Sequence, residues 1–148
     1  MKSFLAGATC FLAVGLLNSE IGQAQSAQPV TFAPDQSGQI NFVVSALNLG
    51  CTFTPKGGTA VYKPSGGGPE LSCDQTEPRY VRVVLTEKTM RRYDQVGDQG
   101  CCNVENELKP GASWTQGPFT CYASDVGLTC KRRDGRGFSV AKAKITLR

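Results

Sequence analysis

Seven cysteines are the most chemically informative residues of this sequence, and two of them, Cys101 and Cys102, are adjacent. Adjacent cysteines can form a redox pair, bind a metal, or belong to two different structural disulfides. A thiol catalyst usually carries a C-x-x-C motif or a histidine partner, and the chain has neither that motif nor any histidine. A zinc site usually starts from the same C-x-x-C spacing, so we expect no metal. We therefore interpret the cysteines as disulfide partners.

Six cysteines follow residue 24, an even number that is typical of a disulfide framework in an exported protein. They are Cys51, Cys73, Cys101, Cys102, Cys121 and Cys130. The stretch "CYASDVGLTC" (121–130) has strand-like ends and a turn-like centre. We therefore expect its two terminal cysteines to be linked across one hairpin.

The adjacent cysteines pose a geometric problem. Consecutive Cα atoms lie about 3.8 Å apart across a trans peptide, whereas unstrained disulfides need about 4.4–6.8 Å. Side chains that are adjacent in an extended segment also point to opposite faces. This geometry favours bonds from Cys101 and Cys102 to the two distant partners, Cys51 and Cys73. The alternative is a Cys51–Cys73 bond together with a vicinal 101–102 bond.

The other candidates for catalysis are weak. The stretch "SVAK" (139–142) matches S-x-x-K, but the S-D-N and K-T-G motifs that accompany it in serine β-lactamases are absent. Two pairs of carboxylates, Asp94 with Asp98 and Glu105 with Glu107, could each supply half of an acid/base site. A small carboxylate-based hydrolase is therefore one alternative function. Solvated surface carboxylates are the more common case, so we favour a protein that binds rather than catalyses.

A basic segment at the end of the sequence suggests a binding surface. Residues 131–148 contain seven Lys or Arg residues and one Asp, a net charge of +6 against +4 for the whole chain. The candidate binding residues are Lys131, Arg132, Arg133, Arg136, Lys142 and Lys144. We expect Lys142, Lys144 and Arg148 to project from one face of a strand. Such a face attracts anionic lipid, acidic glycan or an acidic protein, although it could also be simply a solvated surface. We expect no nucleic acid, because no reader motif is present, and no cofactor.

The beginning of the chain predicts export. Lys2 precedes the apolar run "FLAGATCFLAVGLL" (4–17), and Gly22 and Ala24 suit the −3 and −1 positions of a signal-peptidase site. Residues 1–24 are thus predicted to be a signal peptide, with a periplasmic or secreted protein after cleavage. No later stretch has the roughly 20 apolar residues of a spanning helix. We expect a flexible tail over 25–38 and a single domain over 39–148.

The predicted domain is all-β, a small antiparallel sandwich or barrel stapled by disulfides. Short runs rich in β-branched and aromatic residues alternate with glycine- and proline-containing turns. In "YVRVVLTEKTMRRYD" (80–94), we expect "TEKT" to be the turn of a hairpin. Residues 141–148 alternate as a half-buried strand, with a bulge or short turn near 140 to correct the phase of Phe138. Trp114 is expected in the core, and the alternative is an exposed sugar-stacking platform. A large apolar patch around Trp114 would instead favour a structural or inhibitory secreted protein.

Five short elements carry a resemblance to a known family. They are "NLGCTFTPKGG" (48–58), "GGPELSCD" (67–74), "GDQGCC" (97–102), "GPFTC" (117–121) and "GLTCKRRDGRGFSV" (127–140). The chain resembles a family of small exported bacterial proteins of unknown function with N-I-G-C, G-[VL]-T-C and G-H-G-F elements. The resemblance implies a signal peptide, disulfides and a β-rich domain, and it implies no activity. The chain departs from the pattern at Arg136, where the family carries His, and at Ala141 and Lys142, where it carries Ser-Arg.

Overall fold

The computed structural model describes residues 26–148, and the predicted signal peptide (1–24) lies outside the described residues. The described chain folds into eleven strands and one short 3-10 helix (Ser45–Leu47). The strands are β1 (Gln28–Val30), β2 (Ile40–Val44), β3 (Leu49–Thr54), β4 (Glu70–Gln75), β5 (Val81–Thr86), β6 (Met90–Tyr93), β7 (Ala112–Gln116), β8 (Phe119–Ser124), β9 (Gly127–Arg132), β10 (Gly137–Ala141) and β11 (Lys144–Leu147). Within the described range, no helix has the length and apolar character needed to cross a bilayer.

The strands form two sheets, which make the domain a β-sandwich. Sheet A has the order β1-β7-β8-β9-β10-β11, and sheet B has the order β2-β3-β4-β5-β6. Neighbouring strands are antiparallel except β1, which pairs with β7 in parallel. The predicted all-β class is confirmed. Of the two architectures left open, the sandwich is the one observed.

Aromatic side chains from the two sheets form the centre of the core. Phe42 and Phe53 of sheet B pack against Trp114 of sheet A, with ring centroids 5.0 and 6.0 Å apart respectively. Phe53 also contacts Phe119, with centroids 6.2 Å apart. Trp114 is only 1% exposed, so the core prediction is confirmed and the sugar-stacking alternative for this residue is wrong. Because Trp114 is buried, it does not contribute to an exposed apolar patch.

Two of the three disulfides link directly opposed residues inside the sandwich. The predicted Cys121–Cys130 bond is confirmed, and it joins residues that face each other across β8 and β9. Cys51 is bonded to Cys73, its direct partner across β3 and β4. All four of these cysteines are buried in the core.

The predicted bonds from Cys101 and Cys102 to Cys51 and Cys73 are therefore wrong. Cys101 and Cys102 are bonded to each other, as in the alternative scheme. The prediction failed because it assumed an extended segment, whereas residues 101–104 lie in a loop with no strand pairing. Three disulfides are typical of an oxidising compartment outside the cytoplasm.

The two ends of the domain differ from the sequence-based expectation. Within the expected flexible tail (25–38), β1 pairs with β7, and Phe32 stacks on Phe42 with centroids 5.7 Å apart. At the other end, the expected single strand over 141–148 is instead a tight hairpin in which Ala141 pairs with Lys144. The short turn that the sequence required near residue 140 therefore falls at 142–143. The "TEKT" hairpin is confirmed, with β5 paired to β6.

Candidate functional site

The outer face of sheet B is a polar surface organised in three rows across the strands. Directly opposed residues of neighbouring strands point to the same side of a sheet, so the register defines each row. The first row is Val43, Gly50, Asp74, Arg82 and Tyr93. The middle row is Asn41, Thr52, Ser72, Val84 and Arg91. The third row contains Thr54, Glu70 and Thr86.

An ion-pair network occupies the first row. Arg82 donates from Nε and Nη2 to the two carboxylate oxygens of Asp74, at 2.7 and 2.8 Å. The Tyr80 hydroxyl donates to the same carboxylate at 2.6 Å. Hydrogen bonding to the Asp74 carboxylate raises the pKa of Arg82, and burial together with that carboxylate raises the pKa of Tyr80. The charges of Asp74 and Arg82 therefore largely neutralise each other.

Residues 95–104, which we call the wall segment, cover this row and form one side of a groove. Arg82 binds the segment through Asp98, donating to its carboxylate at 2.9 Å and to its backbone carbonyl at 3.1 Å. The vicinal disulfide lies directly over Gly50, where a Cβ atom would overlap the sulfur atoms of both Cys101 and Cys102. A side chain at position 50 would thus exclude the disulfide from its place on the sheet.

The opposite side of the groove is built by the connection between β3 and β4. Gly57 and Gly58 have positive φ angles of 84° and 80°, a backbone conformation that glycine adopts readily, and they turn the chain back over the sheet. This turn places the Tyr62 hydroxyl 2.8 Å from Oε1 of Glu70, to which it donates a hydrogen bond. Burial, followed by the Glu70 carboxylate, raises the pKa of Tyr62 to about 12. Tyr62 therefore stays a neutral hydrogen-bonding group across the physiological range.

The space between these two walls, which we call the transverse groove, has a volume of about 840 Å³. A smaller depression of about 310 Å³ extends it, sharing Ser65, Glu70, Val84 and Tyr93 as lining residues. The five strands beneath it span roughly 19 Å, taking about 4.8 Å per strand spacing. The groove is therefore long enough for an extended ligand.

The middle row forms the floor of the groove and offers small hydrogen-bonding side chains. Thr52 donates to Oδ1 of Asn41 at 2.6 Å, and Nδ2 of Asn41 donates to Asp35 at 2.7 Å. Ser72 lies at the centre of the row, between Thr52 and Val84. The described chain has seven large apolar side chains that are exposed. Three of them line the groove, namely Tyr62, Tyr93 and Val104.

The carboxylates in and near the groove are either exposed or already hydrogen-bonded. The four carboxylates singled out from the sequence, at positions 94, 98, 105 and 107, are all exposed. Glu70 and Asp74 do line the groove, with their Cα atoms about 13 Å apart along β4 by strand rise. Each of them also already accepts hydrogen bonds from neighbouring side chains.

The predicted basic residues do not form one face. Arg132 points inward and is 8% exposed; it donates to Asp134 at 2.9 Å and to the Thr86 carbonyl of sheet B at 3.2 Å. This contact with Arg132 lowers the pKa of Asp134. Arg132 therefore helps to hold the two sheets together and is not available at the surface.

The exposed cations of residues 131–148 form two groups, one at each end of β10. Gly137 of β10 pairs with Lys131 of β9 on one side and with Arg148 on the other. Arg133 and Arg136 lie in the turn between β9 and β10. We call these four residues the basic end. Lys142 and Lys144 lie at the other end of β10, about 13 Å away by strand rise, which exceeds the Debye length of about 8 Å. The expectation that Lys142, Lys144 and Arg148 project together is therefore wrong for Lys142, which lies in the turn at 142–143, while Lys144 and Arg148, at the start of β11 and just past its end, lie in the same phase.

Sequence reasoning missed the residues of the transverse groove. A signal for Arg82 was present, since it interrupts the apolar run "YVRVVL" (80–85) at a position that alternation assigns to the outer face. Ser72 and Thr52 carry no such signal, because small polar residues are ordinary on any solvated strand.

No family model, curated protein or solved structure matches this chain. The resemblance stated from the sequence elements therefore stays a prediction.

Proposed function

We propose that the protein is an exported, non-catalytic binding module, and that its ligand is a neutral polyhydroxylated chain, an oligosaccharide, bound in the transverse groove. The observation that carries the proposal is the floor of the groove, where hydroxyl and amide side chains lie between two walls that each present an exposed aromatic or apolar side chain. Sugar hydroxyls both donate and accept hydrogen bonds, as do Ser, Thr and Asn side chains. Sugar rings also have apolar faces that pack on aromatic rings such as Tyr62 and Tyr93.

The charge and shape of the groove favour this ligand over a peptide. Extended peptides commonly add to an open sheet edge or insert side chains into apolar pockets. The floor here is the face of central strands, whose backbone groups are already paired within the sheet. Val84 is the one apolar side chain of the middle row. The cation of Arg82 is neutralised by Asp74, and Glu70 and Asp98 also line the groove, so it offers no strong attraction for an anionic ligand.

Export fits this function. The predicted signal peptide with cleavage after Ala24 would deliver the domain to the periplasm or the outside of the cell, where the disulfides form and polysaccharides are encountered. This localisation is part of the proposal.

A groove-filling substitution tests the proposed site. In the variant Ser72→Tyr, the new side chain projects from the middle of the floor into the groove. The parent protein is first tested on an array of neutral and acidic oligosaccharides, and we expect the variant to lose binding to the oligosaccharide that the parent binds. Thr120→Tyr is the matched control, because Thr120 is exposed on the outer face of sheet A, and it should bind as the parent does. Equal binding by the two variants, or a parent that binds no neutral oligosaccharide, would contradict the proposal.

The basic end supports a second candidate function, adhesion to an anionic surface. Gly137 pairs with Lys131 on one side and with Arg148 on the other, so these two cations flank the same position of sheet A. Arg133 and Arg136 extend the positive charge into the neighbouring turn, and all four residues are exposed.

The triple variant Lys131→Ser, Arg133→Ser, Arg136→Ser tests this second candidate. At roughly 1 kcal/mol per cation near an anionic membrane, we expect it to weaken binding to phosphatidylserine-containing vesicles by at least about tenfold at low salt. Stability should change little, because exposed charges contribute little to folding. The control is Lys142→Ser, Lys144→Ser, which should retain binding. A triple variant that binds as tightly as the parent, or a parent that does not bind, would show that the basic end is only a solvated surface.

A further inference from the structure

The three disulfides differ sharply in their access to solvent. The four core cysteines, which form the 51–73 and 121–130 bonds, are at most 2% exposed. Cys101 and Cys102 are instead half-buried and line the open transverse groove. Thiol–disulfide exchange requires a thiolate to reach one of the two sulfur atoms, so access decides which bond reacts. A reductant that enters the groove therefore meets the vicinal bond first.

The vicinal disulfide, which joins two residues of the wall segment itself, also packs this segment against sheet B. The joined sulfur atoms lie over Gly50, and Cys101 Sγ is 3.7 Å from the Asp74 carbonyl oxygen. Two side chains of the sheet B region also hold this segment: the Tyr80 hydroxyl accepts a hydrogen bond from the Cys101 backbone, and Arg82 pairs with Asp98, whose side chain is 87% exposed. An ion pair that is this exposed contributes little stability. The position of the wall segment therefore depends strongly on the disulfide.

We propose that Cys101–Cys102 is a reversible redox site whose reduction releases the wall segment and opens the transverse groove. The reductant is a dithiol. One of its thiolates attacks a sulfur atom of the pair, which breaks the 101–102 bond and forms a mixed disulfide; its second thiol then displaces the protein. The products are two cysteine thiols on the protein and one disulfide on the reductant, so two electrons and two protons move to the protein. Exposed disulfides commonly behave as labile or regulatory bonds.

Opening changes what the groove can hold. In the oxidised protein the wall segment faces Tyr62 and Glu70 across the floor, and both sides can contact a bound chain. Once the bond is broken, the two sulfur atoms move apart and no longer pack together over Gly50. The wall segment then loses this contact with sheet B. The effect on the ligand rests on the function proposed above, and we expect reduction to weaken oligosaccharide binding.

Two measurements on the folded protein test the redox site without any ligand. Native protein is titrated with dithiothreitol and alkylated, and the labelled cysteines are identified by mass spectrometry. We expect Cys101 and Cys102 to be labelled first, with the four core cysteines still protected. Amide hydrogen exchange at Cys101, whose backbone N–H donates to the Tyr80 hydroxyl, should then rise about tenfold or more, while exchange in β3 and β4 stays unchanged, since only local opening is involved. Simultaneous labelling of core cysteines, or unchanged exchange in the reduced protein, would overturn the proposal.

A variant separates this inference from the proposed function. Cys101→Ala, Cys102→Ala should show the fast exchange without reductant and should not respond to dithiothreitol. If no oligosaccharide binds, the labelling and exchange results still decide the redox site. If an oligosaccharide binds with the same affinity to the parent and to this variant, the disulfide does not control binding, and the substitution at Ser72 decides whether the groove is the ligand site.

Discussion

Replacing Asp74 with alanine is expected to lower the free energy of unfolding by about 3 kcal/mol, because it removes the bidentate partner of the largely buried Arg82, leaving only the exposed Asp98, and removes the acceptor of the Tyr80 hydroxyl. The Asp74 carboxylate accepts two hydrogen bonds from Arg82 and one from Tyr80. Its side chain is 10% exposed and that of Arg82 is 23% exposed, so water replaces these contacts poorly. Urea denaturation followed by fluorescence of the buried tryptophan measures the change.

The control for this variant is Asp94→Ala. Asp94 also pairs with arginine, accepting from Arg92 at 2.6 Å, but its side chain is 48% exposed. Pairs of this kind contribute about 0–1 kcal/mol. Equal losses in the two variants would show that the Asp74 network is not a buried structural element.

Alanine at position 50 is expected to destabilise the protein by about 2 kcal/mol through overpacking. Gly50 is not among the glycines with positive φ, so its backbone conformation suits alanine. The obstacle is space, since the new Cβ would overlap both sulfur atoms of the vicinal disulfide. The same substitution in the Cys101→Ala, Cys102→Ala background should cost less than about 1 kcal/mol, because the wall segment can then move aside.

This double-mutant cycle distinguishes contact from backbone strain. Residues that contact each other give non-additive changes in stability, whereas a backbone effect at position 50 would be the same in both backgrounds. Identical costs in the two backgrounds would mean that the disulfide does not rest on Gly50.

Local patterns in the sequence predict the strand pairings between neighbours in the chain. The turn residues between β8 and β9 bring Cys121 opposite Cys130, and the "TEKT" turn similarly joins β5 to β6, because both are contacts between neighbours in the chain. The pairing of Cys51 with Cys73 was harder to predict. It depends on the register of β3 and β4, which are separated by a glycine-rich connection whose path the sequence does not specify.

The candidate site depends on contacts that are distant in sequence. Arg82 acquires its role from Asp74 on the neighbouring strand and from Asp98 in the wall segment. The basic segment was visible as a run of charge, but strand direction and turns decide where each cation points. Arg132 illustrates the difference, since alternation along β9 places it on the inner face while its neighbours Lys131 and Arg133 are exposed.

The most direct test of the transverse groove as the ligand site is chemical-shift mapping by nuclear magnetic resonance. Isotope-labelled protein is titrated with the oligosaccharide that binds most tightly on the array. We predict that the perturbed amides cluster on β2 to β5 around Thr52 and Ser72 and in the wall segment, with the outer face of sheet A unchanged. Perturbations confined to sheet A or to the basic end, or none with any oligosaccharide, would contradict the assignment of the groove as the binding site.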